Sequence, residues 1–450
     1  MGKFFGTDGI RGVANEQLTC ELAFKVGKAA AFVLTQAYSH KPTILIGKDT
    51  RISSDMLEAA LISGFCSYGA DVRLLGVIPT PAVAYFVKKL NADAGIVISA
   101  SHNSMEYNGI KIFNGDGYKL SDELEEKIEA ILLDDNFAFP SVSGADIGRV
   151  STYENAKNEY VDFLVSSADG DLKGLKVVVD CANGSASETA TLLFPRLGAD
   201  ALIINNTPNG ININDKCGST HLEGLAKTVV EKGYDVGVAF DGDADRVLIV
   251  DENGEEIDGD KIIAALALDM KEKKTLKRDT VVVTIMTNMG FFKLMKEENI
   301  ASATTKVGDR YVIEEMLAQG YNIGGEQSGH IILLDYNTTG DGELSGIRWL
   351  EVFKKSGKKA SEFASVMQKF PQTMINVKVT SEGKQNFKDD ADINEAIGRA
   401  EAELSDSGRV IVRASGTEDL IRVMIEGQDT AVIERLSEEI ADVIRNKYGK

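Results

Sequence analysis

Val236-Gly237-Val238-Ala239-Phe240-Asp241-Gly242-Asp243-Ala244-Asp245-Arg246 is an apolar run that ends in carboxylates at alternate positions. A run without polar alternation predicts a strand buried on both faces, and such strands belong to sheets covered by helices. Similar runs occupy 43–46, 95–99, 177–180 and 281–285. Stripes at helical spacing lie between them: Leu124, Ile128, Ile131 and Leu132 share one face, behind Ser121 as the expected N-cap with Asp122 and Glu123 in the first turn. Ser54 likewise precedes the stripe Leu57, Leu61, Phe65. The alternation predicts an α/β chain with mostly parallel strands.

A chain of 450 residues exceeds what one core supports. Breaks are expected at the Ser/Gly-rich stretch 141–151, the turn cluster Asp251 to Gly259, and Phe370-Pro371. They predict domains over 1–150, 151–254, 255–369 and 370–450, the last ending in a helix that aligns Ile433, Leu436, Ile440 and Val443. Strand ends hint at repetition: Ile96-Val97-Ile98 leads to Asn103, Val177-Val178-Val179 to Asn183, and Val281-Val282-Val283 to Asn288.

With 43% hydrophobic and 26% charged residues the composition is that of a globular protein. A formal net charge of −20 argues against nucleic acid and anionic membranes as partners. Cys20, Cys66, Cys181 and Cys217 form no Cys-x-x-Cys pair, which points to reduced thiols and a cytoplasmic setting. No apolar run spans a bilayer, and the first residues carry no signal-peptide core.

Asp241, Asp243 and Asp245 suit a hard divalent cation, provided that the chain curls so that alternate side chains converge. Gly242 and Ala244 are small enough to permit this. A calcium-binding EF-hand is excluded because Arg246 stands where its loop needs Gly. A haloacid-dehalogenase phosphatase also places Asp-x-Asp after a strand, with Asp as nucleophile, but Asp245 replaces its Thr and a serine is available elsewhere.

Ser99-Ala100-Ser101-His102-Asn103 closes the run Gly95 to Ile98 and puts the Ser101 hydroxyl at a strand's carboxyl end, where parallel sheets bind ligands. Ser101 reads either as a nucleophile near His102 and Lys111 or as part of a capping turn. Arg413-Ala414-Ser415-Gly416-Thr417-Glu418, with Arg422, offers cations, hydroxyls and free amides to a phosphate monoester; a plain turn is the alternative. Gly324-Gly325-Glu326-Gln327-Ser328-Gly329-His330 suits sugar hydroxyls, and His330 reads as a proton shuttle or a structural histidine.

These four loops, in this order, closely resemble the α-D-phosphohexomutase superfamily. The likeness runs from Phe5-Gly6-Thr7-Asp8-Gly9-Ile10-Arg11-Gly12 to Arg422-Val423-Met424-Ile425-Glu426-Gly427. Ala100, Gln327, Val307-Gly308-Asp309-Arg310-Tyr311-Val312 and Cys217-Gly218-Ser219-Thr220-His221 are similar to the branch that interconverts glucosamine 6-phosphate and glucosamine 1-phosphate, on the bacterial route to UDP-N-acetylglucosamine.

The resemblance implies an α/β fold of four domains around a central cleft, three related α/β mixed-sheet domains and a smaller α+β C-terminal domain. It also implies phosphoserine at Ser101, with one Mg2+ per chain held by Asp241, Asp243, Asp245 and Ser101, and a sugar bisphosphate as the candidate primer. Catalysis falls to Ser101, His102, Lys111, Arg11, Arg246 and His330. Substrate binding falls to Glu326 and Ser328 for ring hydroxyls and to Arg413, Ser415, Gly416, Thr417 and Arg422 for the distal phosphate. The expected partner is a small phosphosugar, and the family reading leaves room for a homodimer. Two departures stand out: Ser104 and Asp419 replace prolines common in the family, leaving both loops less pre-organised and an acid near the expected phosphate site. A glucose or mannose phosphate mutase of the same superfamily, a metal-dependent phosphatase and a non-catalytic phosphosugar sensor are the competing readings.

Overall fold

The structure is a computed structural model that describes residues 4–6, 8–35, 40–415 and 419–450. Its contacts divide into two compact units, one of residues 1–286 and 300–365, the other of residues 287–299 and 366–450.

The first unit holds three mixed sheets with one shared topology. In the first, Asp71–Val77, Thr43–Lys48 and Ala94–Ile98 run parallel and Tyr107–Asn114 closes antiparallel on Ala94–Ile98. In the second, Asp200–Ile204, Lys176–Asp180, Val236–Phe240 and Val247–Val250 repeat that order and those directions. Ala301–Thr305, Thr280–Thr284, Ile323–Gly325 and Ile331–Leu333 do so again in the third. The expected strands are thus all present, with four-strand modules as the repeating unit. The matching of strand ends by sequence was nonetheless out of register: 177–179 and 281–283 open their modules, whereas 96–98 lies in a third strand.

The first sheet extends beyond its module through Gly9–Val13 and Phe5–Gly6 on one side and Val150–Thr152 on the other. Its strands bury Ile44, Ile46, Ile96 and Ile98 against the helices Cys20–Thr35 and Ser53–Tyr68. Those two helices meet at Gly27 and Gly64, where a Cβ on Gly64 would collide with the Phe24 carbonyl. The expected helix over Leu124 to Leu132 is Asp122–Leu133; Ser121 occupies its N-cap position, though its side chain makes no capping bond.

In the second unit Gln372–Lys378, Leu420–Gly427 and Gly408–Ala414 form an antiparallel sheet. The helices Ala391–Leu404 and Thr430–Tyr448 pack on it through Ile393, Leu404, Ile433, Leu436 and Ile440. Met289–Glu297 belongs to this unit: Asn288 donates from Nδ2 to the Phe370 carbonyl at 3.0 Å and to Glu426 at 3.2 Å.

Candidate active site

Three of the four chemistry-bearing loops occupy one topological position. Each joins the third strand of its module to the antiparallel fourth: 99–106, 241–246 and 326–330. Burying the three strands therefore delivers Ser101, the aspartates and Glu326 to equivalent places.

The aspartate loop curls as required. Ala244 takes φ 55° and its N–H bonds the Asp241 carbonyl at 3.1 Å. A Cβ on Gly242 would meet the Ser101 carbonyl oxygen at 2.5 Å, so glycine there admits the serine loop. Asp241, Asp243 and Asp245 are buried, and each offers a carboxylate oxygen within 4.8 Å of the others. Asp243 Oδ1 is buried without a hydrogen bond. Burial, reinforced by Asp243 and Asp245, pushes the Asp241 carboxyl well above its usual range. Three buried oxygen ligands with surplus negative charge fit a divalent cation such as Mg2+.

Ser101 itself lies at φ 52°, a left-handed conformation that a serine adopts only when its surroundings hold it. Its Oγ donates to Asp241 Oδ2 at 2.5 Å and lies 3.3 Å from His102 Nδ1. Its carbonyl accepts from Arg51 Nη2 at 3.2 Å and from Asn214 Nδ2 at 2.9 Å; the same two side chains hold the Asn103 carbonyl. Buried Arg51 is itself paired with buried Asp49. Burial, and then the cations Arg246 and Arg11, push the His102 imidazole down to about 4, so it is neutral at physiological pH. Arg11 donates to Asn103 Oδ1 at 3.4 Å and pairs with Asp8.

Lys111 reaches across to the aspartates, with Nζ 2.7 Å from Asp243 Oδ2, 3.2 Å from Asp245 Oδ2 and 3.1 Å from Asp8 Oδ2. Burial alone would lower its pKa, but these carboxylates outweigh it and hold the ammonium form. Thr80 Oγ1 also donates to Asp243 at 2.5 Å. Beyond the aspartates, Arg246 and His330 form a backbone bridge that joins the aspartate and sugar loops. His330 Nε2 accepts the Gly340 N–H at 3.2 Å, which assigns the proton to Nδ1, 3.6 Å from Asp245 Oδ1.

In the sugar loop, Glu326 Oε1 accepts the Gly308 N–H at 3.0 Å and Ser328 is exposed. Gln327 Nε2 donates to Asp258 Oδ2 at 3.2 Å. Arg413 and Arg422 stand directly opposite each other in the second unit, where burial and then Arg422 lower the Arg413 pKa. Ser415 is buried beside them. Gly416 and Thr417 lie outside the described residues. Asp419, expected to burden this loop, pairs with Lys450 at 2.7 Å.

Ser101, His102, Arg11, Lys111, Arg246 and His330 thus gather around the aspartates within the first unit. Sequence reasoning missed Asp8, Arg51, Thr80, Lys119 and Asn214. Arg51 carried a signal, since Asp49-Thr50-Arg51 follows the strand Thr43–Lys48 directly. Asn214, in a polar stretch remote from any strand end, carried none.

Residues 2–139, 158–254, 258–370 and 374–443 match, in turn, phosphoglucomutase/phosphomannomutase alpha/beta/alpha domains I, II and III and the C-terminal domain. The chain is 54% identical over 449 residues to a phosphoglucosamine mutase of Acetivibrio thermocellus, covering 100% of both. It is 53% identical over 447 residues to one from Clostridium novyi, covering 99% of both. A phosphoglucomutase/phosphomannomutase family protein of Burkholderia thailandensis shares the fold with TM-score 0.83 at 23% identity, over 99% of this chain and 98% of that one. Aspergillus fumigatus N-acetylphosphoglucosamine mutase, solved with GlcNAc-6P and magnesium, superposes with TM-score 0.67 at 17% identity, over 99% and 96%.

Proposed function

The chain belongs to the phosphoglucomutase/phosphomannomutase family, and we propose that this intramolecular phosphotransferase interconverts glucosamine 6-phosphate and glucosamine 1-phosphate, as the names of its curated relatives suggest. The observation that carries the mechanism is the Ser101 hydroxyl, 2.5 Å from Asp241 at the head of the buried aspartate triad.

Asp241, Asp243 and Asp245, with an oxygen of phosphorylated Ser101, are the residues that would hold one Mg2+. When bound, that ion supplies charge neutralisation for a moving phosphoryl group. Ser101 carries the phosphoryl group, primed by a sugar bisphosphate. In the forward half-reaction the Ser101 Oγ–P bond breaks as the sugar hydroxyl oxygen bonds phosphorus, giving a bisphosphorylated sugar. The hydroxyl proton passes to His330, 3.6 Å from Asp245, while the Lys111 ammonium, 3.2 Å from the same residue, offsets charge. Arg11 and Arg246 offset phosphoryl charge, and neutral His102 lies with Nδ1 3.3 Å from Ser101 Oγ. The sugar then reverses end for end, and its other phosphate returns a phosphoryl group to Ser101 while the proton is given back.

Glu326 and Ser328 are assigned to ring hydroxyls, and Arg413, Ser415, Gly416, Thr417 and Arg422 to the phosphate that is not reacting. The product feeds the cytoplasmic route to UDP-N-acetylglucosamine.

The test is the ratio of specificity constants for glucosamine 6-phosphate, glucose 6-phosphate and mannose 6-phosphate on one phosphorylated, magnesium-saturated preparation. The amino sugar should be preferred. A preference for glucose or mannose phosphate overturns the substrate assignment, and release of inorganic phosphate without isomerised ester overturns the mutase assignment.

A further inference from the structure

The stretch Val307-Gly308-Asp309-Arg310-Tyr311 marked the sugar branch in sequence, and its two charged side chains are engaged by ion pairs, with Asp309 Oδ2 also 3.6 Å from His330 Nε2. Asp309 Oδ2 lies 2.5 Å from Lys119 Nζ, and Lys119 also pairs with Asp8. Arg310 Nη2 lies 2.8 Å from Glu125 Oε2, and Nη1 pairs with Asp122. Lys119, Asp122 and Glu125 belong to the first-sheet module and its helix Asp122–Leu133, whereas Asp309 and Arg310 open the helix Asp309–Gln319 of the third.

We infer that Asp309 and Arg310 are positioning residues: a two-residue latch that fastens the third module to the first and thereby sets the Glu326 carboxylate. The geometry supports this in three ways. The two pairs have opposite polarity, so a slip of one residue would set Arg310 against Lys119 in one direction or Asp309 against Glu125 in the other; the register is fixed by repulsion as well as attraction. Arg310, Lys119, Asp309 and Glu125 are each at most 15% exposed, where pairing is screened far less than at a surface. The latch also acts at once on the site, because the residue before Asp309 is Gly308, whose N–H holds Glu326 Oε1 at 3.0 Å and whose φ of 128° only glycine adopts without strain.

This role rests on the reading that Glu326 holds ring hydroxyls. Those hydroxyls are common to glucosamine and glucose phosphates, so the latch should govern catalytic efficiency and leave the choice between the two sugars alone. A direct contact from Arg310 or Asp309 to the 2-substituent would do the opposite.

The experiment compares the full-length parent with Arg310→Glu, Glu125→Arg and the double exchange, on both sugar phosphates. Each single change should lower kcat/KM about tenfold or more, as expected for an ångström-scale displacement of a positioning group. The factor should be the same for both sugars, and the double exchange should return efficiency to within about threefold of the parent. A double exchange no better than the singles, or a single change that shifts the sugar ratio more than about threefold, overturns the latch. If Arg310→Glu does not fold, Arg310→Gln, Glu125→Gln and their double decide: a double no worse than the poorer single supports the latch, and additive losses refute it. Should the parent prefer glucose 6-phosphate, the substrate assignment fails, while the exchange is still scored on that sugar.

Discussion

Asn214 Nδ2 donates to the carbonyl oxygen of Ser101 at 2.9 Å, so the segment between the strands Asp200–Ile204 and Val236–Phe240 of the second sheet holds the nucleophile loop of the first. Arg51 grips the same carbonyl from within the first module. Between them they stabilise the left-handed Ser101 backbone, which aims Oγ at Asp241.

Asn214→Ala should therefore reduce the turnover number about ten- to hundredfold while KM for the phosphosugar stays within about threefold, because a displaced nucleophile harms the reacting step more than substrate binding. The buried Ser101 carbonyl and the half-buried Asn103 carbonyl lose one donor each, at a stability cost of about 1–3 kcal/mol. Steady-state kinetics with a thermal melt read both effects. A raised KM at unchanged turnover would remove Asn214 from the serine loop's support.

Asp243 holds Lys111, Thr80 and, through its unbonded Oδ1, a place for the cation. Asp243→Asn takes away a charged ligand and keeps the shape. The magnesium activation constant should rise at least about tenfold, and the thermal stabilisation of the protein by added Mg2+ should shrink. An unchanged magnesium titration by melting temperature would exclude Asp243 from the metal shell.

His102 gives a pH signature. Its folded pKa of about 4 lies below the ordinary imidazole value, so the folded state binds fewer protons than the unfolded one between those limits. The stability this contributes is complete above about pH 6.5 and is lost as pH falls toward 4, amounting to roughly 3 kcal/mol. The His102 ring protons should titrate with a midpoint near 4 in the unphosphorylated, metal-free protein, as read by NMR. A midpoint near 6.5 would mean that burial and the Arg246 and Arg11 charges do not act on the ring.

Much of this site was legible because its chemistry is local in sequence. The run Val236 to Phe240 declared its own strand, and alternate aspartates on small spacers declared a cation loop. The repeat was only half legible: valine-rich strands look alike whether they open a module or stand third, and hydrogen-bond register alone tells 96–98 from 177–179. The long-range pairing of Asn214, Lys119 and Arg310 was illegible, since their partners Ser101, Asp309 and Glu125 lie more than a hundred residues away along the chain. Spacing rules describe neighbours; long-range pairs arise only once the sheets are placed.

The central claim, that Ser101 carries the phosphoryl group between the two ends of the sugar, is tested most directly by intact mass and turnover on one pair of proteins. The parent, incubated with glucosamine 1,6-bisphosphate and Mg2+, should gain the mass of a single phosphoryl group on the peptide containing Ser101, and lose it when excess glucosamine phosphate is supplied. Ser101→Ala should show neither the added mass nor isomerisation. Substantial isomerisation by Ser101→Ala, or a phosphoryl group found on another residue of the active parent, would contradict the account.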